Sequence, residues 1–313
     1  MKNVAFHANQ LSERGTEVAM YDYAHFNEVI LKNKSFIISD KNANMNALKK
    51  FESRFEIYLY EKFEDAEKFV LEKNISHCYF IKSGEYDGKI FKNSKNLIHA
   101  VFQKKEFHGD KYVYVSQWLA EKMGLNDLYL PHIVYLPPPN KNIRTELGIP
   151  ENATVIGRHG GYDEFNLNIA IQAVLDSVQE DSSLYFIFMN TRKFCNHKNI
   201  IFLDCSTDLQ DKSNFINSCD ATIHARYNGE SFGLAICEFL FFNKPVISFF
   251  GGLDHNHIHV LKNKGLWYSN YEQCKNQIKF IKEIQAPSGF YSSLVDEFKP
   301  DKVMKKFNQL FLN

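Results

Sequence analysis

The segment Glu230–Glu238 reads ESFGLAICE and determines how the second half of the chain is interpreted. A carboxylate stands at each end of it, and Glu238 is the only charged residue from Gly233 to Phe242. A helix this apolar is expected to be buried, and a buried carboxylate is costly unless donors hydrogen-bond to it. Glu238 is therefore either a core carboxylate satisfied by a backbone amide or a carboxylate that binds a ligand.

Apolar strands are predicted on both sides of this segment. Ala221–Ala225 forms the strand before it, and Val246–Phe249 forms the strand after it. Strand, loop, helix and strand make a parallel βαβ unit, and such units bind ligands at the carboxyl ends of their strands. Glu230 is thus expected in a ligand-binding loop, and Glu238 is expected two turns along the following helix.

Composition argues against several classes of protein. The chain has 313 residues, enough for two domains of about 100–200 residues each. Lys and Arg together number 37, as do Asp and Glu, and this charge balance argues against a protein dedicated to binding nucleic acid. The six cysteines show no CxxC spacing, which indicates reduced thiols. Without a secretion signal or an apolar run of about 18 residues, we expect a cytoplasmic protein. Peripheral contact with a membrane remains open.

Strands and helices alternate through both halves, which predicts parallel sheets covered on both faces. The last predicted strand of the first half, Ile133–Leu136, is followed by Pro137-Pro138-Pro139, a stiff connector. We place the boundary there, with an N-terminal domain of residues 1–139 and a C-terminal domain of residues 140–313. A final amphipathic helix, Lys302–Phe311, is a candidate to pack back on the N-terminal domain. Two Rossmann-like, doubly wound α/β domains that face a cleft are the architecture of the GT-B fold.

Together with Asn243–Ile247, the segment Glu230–Glu238 resembles the E-x7-E region of the family 4 retaining glycosyltransferases. The likeness extends more weakly over most of the chain, including Tyr114–Ser116 and Val155–Arg158. It implies a hexosyltransferase-like enzyme that uses a nucleoside-diphosphate sugar as co-substrate and no other cofactor. The sequence has no D-x-D pair, which favours catalysis without a bound metal ion.

The resemblance assigns a role to both carboxylates. In the family, the first Glu contacts the donor sugar near the reacting anomeric centre, and the second binds the ribose of the nucleotide. These roles fall on Glu230, which is a candidate catalytic residue, and on Glu238. The start of the helix offers free N–H groups to the anionic donor, and the candidate residues there are Ser231, Phe232, Gly233 and Leu234.

Two arginines are candidates for binding the donor diphosphate. The family has an Arg at the position of Arg158 and a Lys five residues later, where this chain has Asp163. Arg226, at the end of a predicted strand, is the best replacement for the missing Lys, because a guanidinium binds phosphate oxygens in a bidentate manner. Asn190, also at a strand end, is a further candidate for the donor site. The alternative for each arginine is a surface salt bridge.

The N-terminal domain supplies two more candidates. Gly15 precedes a predicted helix, in a loop that faces the cleft near phosphate and acceptor in the family; the alternative is an ordinary glycine turn. His99 is a second candidate catalytic residue, since the family often has a His near the reacting sugar at such a strand end; the alternative is a core histidine. The histidines His255, His257 and His259 are not expected to share one face, so we predict no metal site.

The sequence thus predicts a retaining glycosyltransferase that moves a sugar from a nucleoside-diphosphate-sugar donor to a hydroxyl acceptor on a glycan, glycolipid or glycoprotein. Two alternatives remain open. A sugar-nucleotide epimerase shares the two-domain architecture and isomerises the donor without an acceptor. A non-catalytic protein that binds a glycan or a nucleotide also fits, because Lys is missing at position 163.

Overall fold

The computed structural model of the protein describes residues 1–12 and 15–313, and for Asn46 it describes only the backbone. The chain forms two compact units, one made of Met1–Ile133 with Glu297–Asn313 and the other of Val134–Asp296. The boundary predicted after residue 139 lies shortly beyond this division. The C-terminal segment, Glu297–Asn313, was included in the predicted domain of residues 140–313, but it belongs to the first unit.

The first unit contains one six-stranded parallel sheet. Its strands are β1 (Asn3–Ala8), β2 (Lys34–Asp40), β3 (Glu56–Tyr60), β4 (His77–Lys82), β5 (Lys95–Ala100) and β6 (Lys111–Tyr114). Its helices include α1 (Gly15–Val29), α2 (Met45–Glu52), α3 (Ala66–Glu72) and α4 (Gln117–Lys122), with a 3-10 turn at Phe63–Asp65. The strand order is β3-β2-β1-β4-β5-β6, and all neighbouring strands are parallel.

The residues Ile133–Leu136, predicted to be the last strand of the first half, do not form a strand. Their apolar pattern reflects burial, because Ile133, Val134 and Leu136 are each at most 2% exposed. Leu136 packs into a core of the second unit. The segment is therefore a buried connector, and its apolar residues are explained by packing alone.

The C-terminal segment completes the core of the first unit. It contains the α-helix Pro300–Phe307, followed by a π-helical turn at Asn308–Leu312. Phe307 has no exposed surface, and its ring centroid lies 6.3 Å from that of Phe6 and 5.5 Å from that of Tyr23. Buried aromatic contacts contribute strongly to a core, which explains why this segment belongs to the first unit although it follows the second in sequence.

The second unit contains another six-stranded parallel sheet and a two-stranded one. Its strands are β7 (Thr154–Arg158), β8 (Leu184–Met189), β9 (Ile200–Leu203), β10 (Ala221–His224), β11 (Gly229–Glu230), β12 (Val246–Phe249), β13 (Asp254–His255) and β14 (Leu266–Tyr268). Its helices are α5 (Asn168–Glu180), α6 (Leu209–Asn217), α7 (Leu234–Phe241), α8 (Asn256–Leu261) and α9 (Tyr271–Phe280), with 3-10 segments at Lys262–Lys264, Ile281–Glu283 and Ser292–Phe298. The large sheet has the order β14-β12-β10-β7-β8-β9, and β11 pairs with β13.

The large sheet of the second unit is buried on both faces. On β7, Val155 packs with residues of α6 and α7, whereas Ile156 packs with residues of α5 and α9. Successive side chains of a strand point to opposite faces, so the sheet needs helices on both sides. The predicted fold class, two Rossmann-like parallel-sheet α/β domains, is confirmed. Among the described residues, no helix combines the length and the apolar character needed to cross a bilayer.

Candidate functional site

The chain between β10 and β12 carries both predicted carboxylates at the carboxyl edge of the second unit's large sheet. β10 ends at His224, and after a turn β11 places Glu230 just before α7. Gly233 precedes the first residue of α7 with φ +87°, a left-handed conformation that favours glycine. Glu238 lies on the helix, as predicted, whereas Glu230 ends the short strand β11 in the segment between β10 and α7 that was predicted to be a loop.

The loop that holds Glu230 is fixed by backbone pairing with the loop after β12. The backbone N–H groups of Leu253 and Asp254 both donate to the carbonyl of Asn228, each at 2.9 Å. Gly229 has φ +71°, and a Cβ atom there would lie 2.0 Å from the carbonyl oxygen of Asp254. Only glycine allows this approach, so the sequence at position 229 sets the position of Glu230.

Glu230 is held at both of its carboxylate oxygens. Arg226 donates from Nη1 to Oε2 at 2.9 Å, and Nε2 of His224 lies 3.3 Å from Oε1. Burial would raise the pKa of Glu230, but His224 and Arg226 outweigh it and lower the pKa to about 2. The side chain is 17% exposed. Glu230 is thus an ionised carboxylate, fixed in position and still partly open.

Arg226 bridges two carboxylates. Besides Glu230, it contacts Glu164, whose Oε1 lies 2.9 Å from its Nη2. Burial alone would lower the pKa of Arg226, but the two carboxylates raise it above its ordinary value. Its side chain is 23% exposed. Arg226 therefore forms salt bridges, as the alternative interpretation expected, and one of them places its guanidinium beside Glu230.

Arg158 ends β7 and is only 6% exposed. Its Nη1 donates to Thr191 Oγ1 at 2.6 Å and to the carbonyl of Asn190 at 3.2 Å, and its Nη2 donates to the carbonyl of Gly161 at 2.8 Å. Burial lowers its pKa to about 10. Arg158 forms no salt bridge among the described residues, so the structure excludes the alternative of a surface salt bridge: the guanidinium is buried against two carbonyl groups and a hydroxyl.

Asn190 and position 163 lie in the same region. Asn190 has φ +49°, and its Nδ2 donates to the carbonyl of Gly160 at 2.8 Å, so it supports the loop after β7. At position 163, where the family resemblance leads us to expect Lys, Asp163 accepts from Arg192 Nε at 2.6 Å on an exposed surface. The positive charge near that position is therefore Arg192, which is paired with Asp163.

Glu238 is the more deeply buried carboxylate, with a side chain that is 4% exposed. Lys212 on α6 donates from Nζ to Oε1 at 2.8 Å. Nε2 of His159 lies 3.0 Å from Oε2, but among the described residues neither of these two atoms has a hydrogen bond of good geometry. Burial would raise the pKa of Glu238, and Lys212 and His159 bring it down to about 2. Burial lowers the pKa of His159, although Glu238 opposes this shift.

Lys212 and His159 are site residues that the sequence reasoning missed. His159 directly follows β7, and Lys212 lies in the first turns of α6, the helix that follows β9. Asp208 caps α6 by accepting from the N–H of Gln210 at 2.7 Å. A useful signal was available, because polar residues just after parallel strands converge at one edge of the sheet.

Comparison with known proteins identifies the fold. No family model and no curated protein matches the chain. A solved glycosyltransferase from Rickettsia africae ESF-5 shares 13% identity at a TM-score of 0.73, over 98% of this chain and 97% of that one. HepE from Anabaena, solved with UDP-glucose, shares 13% identity at a TM-score of 0.75 over 99% of both chains. WaaG, a glycosyltransferase involved in lipopolysaccharide biosynthesis, shares 13% identity at a TM-score of 0.65, over 98% of this chain and 99% of that one. The chain has the GT-B fold. At these identities the likeness establishes the fold alone.

Within this GT-B fold, the residues at the start of α7 differ in how open they are. Phe232 is 3% exposed, and its carbonyl accepts from Asn256 Nδ2 at 2.6 Å. Gly233 is also buried, whereas Ser231 and Leu234 are half-buried. A ligand at this helix start would therefore meet Ser231 and Leu234, with Phe232 acting as a packed support.

His99 and Gly15 lie in the first unit. His99 is fully buried, with Nδ1 2.6 Å from the hydroxyl of Tyr79, and burial lowers its pKa to about 3. Its ring packs against those of Tyr79 and Tyr23 inside the core of the first unit, so the candidate catalytic role of His99 is corrected to that of a core residue. Gly15 begins α1, and nothing lies within 4 Å of a Cβ built there, so no close approach requires glycine. Residues 13 and 14 of its loop lie outside the described residues.

Two of the histidines near β13 contact backbone carbonyl groups. His255 and His257 each lie beside a backbone carbonyl, with Nε2 2.8 Å from the oxygen of Gly252 and 3.0 Å from that of Phe249, respectively. In the part of the chain that the structure describes, no group of three or more His, Cys, Asp or Glu is arranged to hold a metal ion.

Proposed function

We propose that this chain is a GT-B glycosyltransferase that moves a sugar from a nucleoside-diphosphate-sugar donor to a hydroxyl acceptor, with retention of anomeric configuration. The observation that carries the proposal is the pair of ionised carboxylates at one edge of the second sheet. Glu238 keeps one buried oxygen without a hydrogen bond among the described residues, and Glu230 is partly exposed in the adjoining loop. Strongly shifted, precisely held ionisable groups of this kind are concentrated at functional sites.

Glu238 suits the ribose of the donor. Carboxylate oxygens accept hydrogen bonds from ribose hydroxyls in nucleotide-binding folds of this type. Since Oε2 of Glu238 has no donor in the described residues, a ribose hydroxyl would supply one. HepE, which shares the fold, was solved in complex with UDP-glucose, and this supports a nucleotide sugar as the donor.

Glu230 suits the reacting sugar. Its contacts with Arg226 and His224 fix its charge in space, and its pKa of about 2 keeps it ionised at neutral pH. A fixed negative charge stabilises the positive charge that develops at an anomeric carbon as the bond to the leaving group breaks. We therefore assign Glu230 an electrostatic role and no role as a proton donor.

The departing diphosphate needs positive charge, because negative charge accumulates on it in the transition state. Arg226 is the candidate with exposed surface in the described site, and Arg158 supports the loop beside it through its carbonyl contacts. We assign the neutralisation of the leaving group to Arg226 together with the N–H groups at the start of α7. No bound metal ion is part of this proposal.

A second candidate function is a nucleotide-binding protein without transferase activity. Arg226 is already paired with Glu164 and Glu230, and position 163 carries Asp163 in place of Lys. Both observations leave less free positive charge for a leaving diphosphate than the family resemblance implies. Such a protein would bind a nucleoside diphosphate without cleaving a nucleotide sugar.

A thermal-stability screen against UDP, ADP, GDP and their sugars tests the donor site. A ligand at about 100 times its dissociation constant adds about 2.7 kcal/mol, which shifts the melting temperature by several degrees. We expect a shift with one base, and we expect Glu238→Gln to lose it. Glu272→Gln, which changes an exposed glutamate on α9, is the matched control and should keep it. A wild-type protein that no nucleotide stabilises would refute the proposed donor site.

A further inference from the structure

The pairing of Lys212 with Glu238 leaves hydrogen-bonding groups uncommitted on both side chains. The Lys212 ammonium has three N–H bonds. One donates to Oε1 of Glu238 at 2.8 Å, and no other protein acceptor contacts Nζ among the described residues. On the other side of the pair, Oε2 of Glu238 is buried without a hydrogen-bond donor. An acceptor and a donor are thus available side by side.

A buried, ionised oxygen without a hydrogen bond costs free energy. A ligand that donates a hydrogen bond to Oε2 removes this cost, which favours binding. Nε2 of His159 lies 3.0 Å from Oε2, but the two atoms do not form a hydrogen bond of good geometry. The group that completes this site must therefore donate to Oε2 and fit beside an ammonium.

A vicinal diol has this chemistry. Each hydroxyl donates one hydrogen bond and accepts others, so one hydroxyl can donate to a carboxylate while its neighbour accepts from an ammonium. We propose that Lys212 and Glu238 recognise the ribose together, with Oε2 of Glu238 accepting from one hydroxyl and Nζ of Lys212 donating to the other. This assignment rests on the proposed function, and it adds Lys212 as a specificity-determining residue of the donor site.

Two features of the pair favour shared recognition over a carboxylate that binds both hydroxyls. Oε1 already accepts a charge-assisted hydrogen bond from Lys212, and such bonds are among the strong ones, so freeing Oε1 would be costly. Lys212 is also the more open partner, with a side chain 12% exposed against 4% for Glu238. A ligand that reaches Glu238 from solvent therefore meets the ammonium as well.

The positive charge of Lys212 has a second consequence. A lone Glu238 carboxylate would repel the diphosphate that is attached to the same ribose, because both are anionic. Lys212 balances this charge at 2.8 Å. The pair therefore allows a carboxylate to serve as the ribose acceptor in a site for an anionic ligand.

Calorimetric titration of 2′-deoxy and 3′-deoxy nucleoside diphosphates tests this inference. UDP, ADP and GDP are titrated first, and the base that binds is then compared with its two deoxy forms. In the wild-type protein, we expect loss of either hydroxyl to weaken binding about 10-fold or more, since each hydroxyl bonds to a charged group. In Lys212→Met, we expect the parent to bind about 10-fold more weakly and one deoxy form to bind as well as the parent does.

The controls separate this role from a purely structural one. Lys212→Arg keeps a positively charged donor and should restore sensitivity to both hydroxyls, and Lys279→Met, at an exposed position of α9, should behave as the wild type. Melting curves identify any variant that fails to fold. If Lys212→Met does not fold, the inference is tested by the affinities of the wild-type protein and of Lys212→Arg for the parent and deoxy nucleoside diphosphates. A Lys212→Met protein that weakens all three ligands by one common factor would overturn the shared recognition and leave the proposed function standing. A wild-type protein that binds none of the nucleoside diphosphates would overturn both.

Discussion

Gly229→Ala is the substitution that most directly perturbs the loop holding Glu230. Gly229 pairs with Asp254 in the small β11-β13 sheet and has φ +71°. A Cβ atom would lie 2.0 Å from the carbonyl oxygen of Asp254, far inside van der Waals contact. That neighbour is backbone, so no side-chain rotation relieves the overlap, and the two loops must separate.

The cost can be estimated from its parts. A left-handed conformation costs a residue with a Cβ roughly 1–2 kcal/mol relative to glycine. Separating the loops also weakens the two hydrogen bonds that Asn228 accepts from Leu253 and Asp254, each worth about 1 kcal/mol net. We therefore expect Gly229→Ala to lower the free energy of unfolding of the second unit by about 3–4 kcal/mol. Activity should also fall, because Glu230 moves with the loop.

Gly148→Ala is the matched control for this substitution. Gly148 lies in the same unit with φ +66°, but nothing is within 4 Å of a Cβ built there, so only the conformational cost of roughly 1–2 kcal/mol applies. Urea unfolding followed by the fluorescence of Trp267, in a Trp118→Phe background, reports on the second unit. If both glycine variants lost the same stability, the close approach of the two loops at position 229 would be refuted.

Three further predictions concern the charged and buried groups. Arg226→Met removes the guanidinium that Glu164 and Glu230 share and leaves Glu230 with His224 alone, so urea unfolding should show a loss of about 1–3 kcal/mol, discounted for partial exposure. Arg226→Lys should show a smaller loss, and equal stability of all three proteins would contradict the bridge. The pKa of Glu238 is lowered to about 2, so its stabilising contribution is present above about pH 4.5 and disappears as the pH falls towards 2. Glu238→Gln should flatten the curve of unfolding free energy against pH in this window, and an unchanged slope would count against the ionised pair. His99→Phe should cost about 1–3 kcal/mol because the hydroxyl of Tyr79 loses its partner, and adding Tyr79→Phe should recover most of it without a change in kcat; a large fall in kcat in the double variant would restore a catalytic role for His99.

The fold could be predicted because its evidence is local. Each of its signals can be read from residues that are close together in the sequence. They are the apolar run around Glu238, the glycine at position 233, and the alternation of predicted strands and helices. These patterns correctly placed Glu238 on a helix, whereas Glu230, predicted in a loop, ends the two-residue strand β11. The connector Ile133–Leu136 was misread because burial and strand formation produce the same short apolar run.

The site was only partly predictable because its contacts join elements that are distant in sequence. Lys212 reaches Glu238 from a different helix, and no spacing rule reveals that contact. The place of His159 directly after β7 indicated the edge of the sheet but not its partner, Glu238. The sequence also did not indicate whether a polar side chain is exposed or buried. Arg158 and His99 both lie near the carboxyl ends of strands, where site residues are expected, yet the structure buries both. Arg158 packs against carbonyl groups, and His99 packs in an aromatic core.

The central claim, transfer from a nucleotide sugar, is tested most directly by following each donor by NMR in the presence of the protein. UDP-, ADP- and GDP-sugars are incubated with and without a mixture of glycan and glycolipid acceptors, beside the Glu230→Gln protein. We predict that one donor is converted to its nucleoside diphosphate with the sugar delivered in the donor's anomeric configuration, and that Glu230→Gln slows this conversion strongly. Conversion of a donor into an epimeric nucleotide sugar, or binding without any cleavage under all conditions, would contradict the account.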